Sequence, residues 1–179
     1  MGRLRPGARR GGYVIRLATG EDLEALGRLG ALLMRTHYAF DPRRFLAPGD
    51  EPESGYAGFL ETQLREPDVA VFVADQDGRV VGYVYAGLEP LSWKELRGPA
   101  GFIHDIVVED QARGAGVARE LIGAAVQWLR QRGAPRVMLW TAAQNERAQR
   151  LFDAAGFRKT MIEMTLELEL TPPDPDPAP

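Results

Sequence analysis

The stretch with the most chemical content runs from Phe102 to Ile122: Phe-Ile-His-Asp-Ile-Val-Val-Glu-Asp-Gln-Ala-Arg-Gly-Ala-Gly-Val-Ala-Arg-Glu-Leu-Ile. Its apolar first half reads as a buried strand, and the glycines after Arg113 read as a turn opening a long helix. The first amides of such a helix have no partner within it, and that end carries about half a positive charge. Together they make an anion site. Gly114 and Gly116 lack Cβ, so a phosphate can come close to the backbone. Several amide bonds to a charged acceptor, at about 1.5–3 kcal/mol each, would supply much of a phosphorylated ligand's affinity, less the cost of ordering.

Two familiar phosphate-binding patterns do not fit. A nucleoside-triphosphate loop needs Lys and then Ser or Thr after its last glycine, and here stand Val117 and Ala118. The dinucleotide fingerprint needs a third glycine where Arg119 stands, and a carboxylate near the end of the next strand, which reads Leu139-Trp140-Thr141. A nucleotide-dependent oxidoreductase is therefore disfavoured.

Three side chains are candidates for moving a proton: His104, Asp105 and Glu89. His104 and Asp105 are neighbours on one strand, so regular alternation predicts opposite faces, with one of them toward a cleft. The plainer expectation is that Asp105 makes a structural hydrogen bond and His104 is packed. His37, after the first helix, is expected in an exposed loop, with the wall of an acceptor pocket as the alternative. Trp128 and Trp140 fall in core-like patterns, while Trp93 sits in a loop.

The elements that must position these groups alternate. Tyr13 to Leu17 is a short β-type run. Thr19 and Asp22 start a helix with Leu23, Leu26, Leu29 and Leu33 on one stripe. Residues 37–53 read as a loop, and Ser54 as the cap of a second helix with Phe59, Leu60 and Leu64 inward. Val69–Ala74 and Val80–Leu88 form a hairpin across Asp77-Gly78. After a loop from Glu89 to Pro99 come the strand Phe102–Val108, the helix Gly114–Arg132, the strand Val137–Trp140 and the helix Asn145–Ala155. Met164, Leu166, Leu168 and Leu170 alternate with polar residues and predict a half-buried last strand. The fold class is α/β (α+β), a mixed and mostly antiparallel sheet with helices on both faces.

The 179 residues predict one domain over 12–170, flanked by a disordered basic arm (1–11) and a Pro-rich tail (171–179). Net charge is -3, so no whole-molecule basic field favours nucleic acid. Cysteine is absent, which excludes disulfides and a covalent Cys intermediate and fits a cytoplasmic location. No apolar run is long enough for a membrane span, Pro6 breaks the myristoylation pattern, and no secretory signal is evident. No metal is expected.

Arg113-Gly-Ala-Gly116-Val-Ala118 resembles the Arg/Gln-x-x-Gly-x-Gly/Ala acyl-CoA loop of the Gcn5-related N-acetyltransferases (GNAT). Asp105-Ile-Val-Val108 resembles that family's central strand, and Val80-Val-Gly82-Tyr83 the segment before it. Asn145-x-x-Ala148-x-x-Leu151-Phe152-x-x-x-Gly156-Phe157 resembles its second motif, and the matches arrive in the family's order.

The resemblance implies acetyl-CoA as cosubstrate and an amine acceptor, either a small molecule or a protein, with a second copy of the chain as a further candidate partner. It implies a splayed pair of parallel strands with pantetheine in the gap, near Ile106, Val107 and Val108. Pyrophosphate would rest on the amides of Gly114, Ala115, Gly116, Val117, Ala118 and Arg119, with Arg113, Asn145 and Phe152 lining the same side. The Val108 N–H would stabilise the oxyanion. Many family members carry a Tyr that protonates the leaving sulfur where Phe152 stands here, and Phe has no proton to give. Water, or the hydroxyl of Tyr38, Tyr83 or Tyr85, stays open as a substitute. So does the alternative of a catalytically weak acyl-CoA-binding module.

Overall fold

The computed structural model describes residues 12–168, so the expected basic arm and Pro-rich tail lie outside the described residues. The first helix begins with reciprocal capping. The Thr19 hydroxyl accepts the Glu21 N–H, and the Asp22 carboxylate accepts the Thr19 N–H at 2.8 Å. One 3-10 turn, Gly20–Asp22, leads into α1 (Leu23–Phe40). Arg16 donates twice to the buried Asp22, both at 2.8 Å, and so ties strand β1 (Val14–Leu17) to the helix start.

Helix α2 (Pro52–Gln63) begins at Pro52, where a missing N–H costs nothing, and Ser54 instead donates back to the Glu51 carbonyl at 3.3 Å. The two helices meet at close range because α1 presents Gly27 and Gly30. A Cβ on Gly27 would stand 2.4 Å from the Glu53 carbonyl oxygen, and one on Gly30 would stand 1.9 Å from the Tyr56 ring.

Strands β2 (Val69–Gln76) and β3 (Arg79–Glu89) form the expected hairpin. Asp77 and Gly78 both have positive φ, 51° and 86°, as a tight two-residue β-turn requires. β4 (Ala100–Val108) pairs antiparallel with β3, and β5 (Val137–Leu139) pairs parallel with β4 after a crossover through α3 (Val117–Gln131). The sheet order is β1-β2-β3-β4-β5. One face packs Val71, Val73 and Tyr83 under Leu26, Leu29 and Leu60 of α1 and α2. The other packs Phe72, Val84 and Ile103 under Leu121, Ala125 and Leu129 of α3, with Phe152 of α4 (Glu146–Ala154) beside them. The mixed, mostly antiparallel sheet with helices on both faces is as the sequence predicts.

Several local expectations differ. α3 starts at Val117 rather than Gly114, because Gly114 and Gly116 both take φ 83°, outside the right-handed helical region. α1 runs on to Phe40, which puts His37 in the helix rather than in a loop. Phe59 is 44% exposed and Trp140 is 70% exposed, so neither is core. The expected last strand does not form over the described part of its range. Residues 158–168 are without regular structure, and Met164 and Leu166 stand 90% and 83% exposed. A strand exists only where a neighbouring edge accepts its peptide groups, and among the described residues none does so here.

Candidate active site

The site is organised by an irregularity in β4. Tyr85 pairs with Asp105 but Ala86 pairs with Ile103, so His104 is an extra residue in the ladder. The bulge overturns the expectation of opposite faces. The His104 ring stacks between Tyr85 (4.6 Å) and Phe102 (5.1 Å), on the α1–α2 side. The Asp105 carboxylate turns to the same side, where it accepts the Tyr83 hydroxyl at 3.2 Å and the hydroxyl of Tyr56 from α2. Glu89, the last residue of β3, lies 3.4 Å from His104 Nε2. All three candidate bases thus gather on one face.

Burial shapes their titration. Asp105 is raised above the ordinary carboxylate value because burial disfavours its charge, while the two tyrosine hydroxyls oppose that rise. His104 is lowered, again mainly by burial, against the pull of Glu89 and Asp105. Burial and the neighbouring Asp105 push Tyr85 up to about 12 and raise Tyr56 and Tyr83 well above their usual value. Tyr83 and Tyr85 are not free donors, since they give their protons to Asp105 and, at 2.8 Å, to Gln63.

Beyond the bulge the two parallel strands part. β5 pairs with β4 only at Gly101, Phe102 and Ile103, leaving 104–108 without a neighbour on that side. The Glu109 N–H donates to the Val81 carbonyl at 2.9 Å, toward β3. Peptide groups alternate along a strand, so those of Val108 and Ile106 point the other way, into the gap. Val107 directs its peptide groups to β3 and buries its side chain under α1 and α2.

The gap opens into a cleft of about 1430 Å³ bordered by α1, α2, β4, the glycine loop and α4. His37, His104, Asp105 and Trp140 line it, as do Gly114, Gly116, Val117, Ala118 and Arg119. A Cβ on Gly114 would meet nothing within 4 Å, so the loop's backbone faces open space. The Tyr13 hydroxyl holds the loop from behind through the Ala115 carbonyl, at 3.4 Å. Arg113 braces it, donating to the Val108 carbonyl at 3.0 Å and pairing with Asp110. Asn145 borders the cleft and caps α4, its side-chain oxygen accepting the Ala148 N–H at 3.1 Å. Phe152 borders the cleft as a buried ring edge-on to Phe157, 5.9 Å away.

The free amides, the bare glycine loop and the splayed strands suit a ligand that carries a diphosphate on a chain of amides. Trp93 is 82% exposed in its loop and does not line the cleft. Tyr56 was not legible as a site residue, because no motif surrounds it. The one signal was Gly27-x-x-Gly30, a helix face bare enough for another helix to lie against. Among the described residues no group of three or more His, Cys, Asp or Glu is placed to hold a metal, and no helix is long and apolar enough to cross a membrane.

Comparison with known proteins points the same way. The Acetyltransferase (GNAT) family model matches residues 28–157. Mycothiol acetyltransferase of Thermomonospora curvata is 28% identical over 120 residues, 64% of this chain and 38% of that one. An uncharacterized N-acetyltransferase of Methanocaldococcus jannaschii is 26% identical over 150 residues, 84% of this chain and 62% of that one. The chain spans only 38% to 40% of the first mycothiol acetyltransferases it matches. Among solved structures, a variant of the BH1408 protein of Bacillus halodurans superposes with TM-score 0.74 at 22% identity, covering 87% of this chain and 99% of that one. The aminoglycoside N-acetyltransferase AAC(6')-Iy in complex with CoA superposes with TM-score 0.68, also at 22% identity, covering 94% and 100%. With its splayed strands, glycine loop and ordered motifs, the chain belongs to the GNAT acetyltransferase family.

Proposed function

We propose that this chain transfers the acetyl group of acetyl-CoA to a primary amine by direct attack, with Asp105 as the base. The observation that carries the proposal is the Asp105 carboxylate, buried in the cleft wall beside the splayed strands and held by Tyr56 and Tyr83. An alkyl amine has a pKa of about 10 and arrives as an ammonium ion. Asp105 receives that cation, and taking its proton, directly or through a water, frees the lone pair for attack. The His104–Glu89 pair stands next on the same face to carry the proton toward solvent.

The backbone does the rest. Acetyl-CoA supplies the activated acyl group. The amides from Gly114 to Arg119 bind its diphosphate, and the gap-facing peptide groups of Ile106 and Val108 bind its amides. The Val108 N–H is the donor for the developing oxyanion. Phe152 has no proton to offer, and the Tyr83 and Tyr85 hydroxyls are engaged elsewhere. A thiol of pKa about 8.5 can depart as thiolate, so no side-chain acid is required.

The acceptor is a small molecule or a protein amine. The similarity to mycothiol acetyltransferase and to an aminoglycoside N-acetyltransferase suggests a first panel of amines for assay. Incubating the protein with acetyl-CoA and that panel should release free CoA thiol only when both are present. Tight acetyl-CoA binding without thiol release from any amine would favour the acyl-CoA-binding module, the reading that Phe152 motivates.

A further inference from the structure

We propose that the acceptor is a small primary amine carried on an aromatic ring, an arylalkyl amine, rather than a polyhydroxylated amino sugar. The inference rests on the amine-acetylating reading above and concerns the part of the acceptor beyond its nitrogen. The α1–α2 half of the cleft is walled largely by carbon. Leu33, Met34 and Phe40 of α1, Phe45 of the loop after it and Phe59 of α2 all line it. Phe59 is 44% exposed, so a large ring is turned out of the core and onto the cleft.

The polar side chains of that half are mostly engaged by the protein itself. The Thr36 hydroxyl donates to the Leu32 carbonyl at 2.7 Å, and His37 Nδ1 to the Leu33 carbonyl at 3.0 Å. The Tyr56 hydroxyl donates to Asp105, and Arg44 donates to both carboxylate oxygens of Glu163. A sugar hydroxyl that gave up its water there would find few partners among the described residues, and an unmatched polar group weakens binding. A ring carries no such cost and gains from leaving water.

The geometry points to where the ring lies. Tyr56 reaches Asp105, and Phe59, three residues further along α2, stands edge-on to Tyr56 at 5.7 Å and to Tyr85 at 5.9 Å. On the facing helix His37 stands edge-on to Phe45 at 4.9 Å and to Phe40 at 6.1 Å. An ammonium group received by Asp105 therefore carries its substituent into a cleft with aromatic rings from both helices, and rings attract a further ring edge-on or offset. Exposed Asp50 and Glu51 border the same cleft and favour entry of a cation.

The test measures release of CoA thiol by the full chain at saturating acetyl-CoA, with phenethylamine, ethylamine and kanamycin as acceptors. Calorimetry of the same three amines with protein saturated with CoA, where no transfer can occur, reads binding alone. Burying the ring should raise kcat/KM for phenethylamine over ethylamine by roughly 10–100-fold. Kanamycin should fall about tenfold or more below phenethylamine. Phe59→Ala should raise KM for phenethylamine roughly three- to tenfold while kcat holds, and so shrink the preference for the ring. Trp93→Ala, at an exposed ring that does not line the cleft, should leave that preference intact. Equal rates for the two simple amines, a preference for kanamycin, or a Phe59→Ala variant that keeps the full preference would each overturn the proposal. Ring-selective binding without thiol release would sink the transfer reaction and sustain the acceptor class. Thiol release without ring selectivity would do the reverse, and neither release nor selective binding would overturn both.

Discussion

The two halves of the cleft are made of different material. On the α3 side, the surface offered to a ligand is backbone: the turn at Gly114 and Gly116, the first amides of α3 and the gap-facing peptides of Ile106 and Val108. On the α1–α2 side it is side chains, with Asp105, His104 and Tyr56 drawn from β4 and α2 and Glu89 behind His104. A backbone surface is specified by where glycines fall and where a helix begins, so few substitutions can alter it and each should be severe. A side-chain surface is specified by packing between distant elements, so it should tolerate change at some positions and not at others.

The sharpest way to break the contrast is Gly116→Asp. Gly116 sits at φ 83°, where an L-residue is strained by about 1–2 kcal/mol, and the new carboxylate would bring a negative charge into the turn proposed to hold the diphosphate. Calorimetry should find acetyl-CoA binding abolished. Wild-type affinity would mean that the diphosphate lies elsewhere, and the backbone half of the comparison would fail.

Asp105→Asn should separate the halves cleanly. Acetyl-CoA affinity should be unchanged while kcat/KM falls by roughly 10²–10⁴, the usual contribution of a positioned base. Stability should move the other way. A carboxyl raised by burial holds its proton more tightly folded than unfolded. Its favourable contribution is full below the ordinary carboxylate value and is lost as pH rises through the raised one, so at neutral pH the ionised group is a net cost. Asn keeps an acceptor for the tyrosines without the charge, and Tm at neutral pH should rise. A lower Tm with intact turnover would make Asp105 a structural residue only.

This division also explains what was legible in the sequence. The glycine loop, the central strand and the α4 motif are each contiguous, so the elements that border this side of the cleft could be written down in advance, while the cofactor roles of their residues came from the family resemblance. The gathering of His104 and Asp105 on one face could not. It depends on a bulge that no residue type in Tyr85–Ala86 or Ile103–Asp105 announces. Tyr56 reaches Asp105 only because Gly30 leaves room for its ring, a contact between helices that local pattern does not encode. Trp140 fitted a strand period but lies on the cleft side of the splay, where alternation no longer means burial. The strand expected at 164–170 failed over its described part for a related reason, since its pattern says that it can pair but not with what.

Phe152→Ala tests whether the α3 half is stable independently of its chemistry. The ring is buried against Phe157 and the α3 core, and truncating a buried Phe costs about 3–5 kcal/mol. Thermal melting should show that loss, while turnover per folded molecule at low temperature should stay close to wild type. An unchanged Tm with lost turnover would assign Phe152 to the chemistry instead.

Tyr56→Phe should have the smallest effect and say the most about the side-chain half. The ring stays, so the packing against Gly30 is kept and only the hydroxyl donor to Asp105 is lost. That bond favours the ionised carboxylate and holds its pKa below where burial alone would put it. Without it Asp105 rises further, and the acid limb of kcat/KM should move to higher pH. A hydrogen bond to a charged group contributes about 1.5–3 kcal/mol, so the loss on the acid side should be roughly tenfold or more, with near wild-type rate on the alkaline side. Acetyl-CoA affinity should not change at any pH. A uniform fall across the pH range, with the limb unmoved, would mean that Tyr56 supports the acceptor pocket without acting on the base.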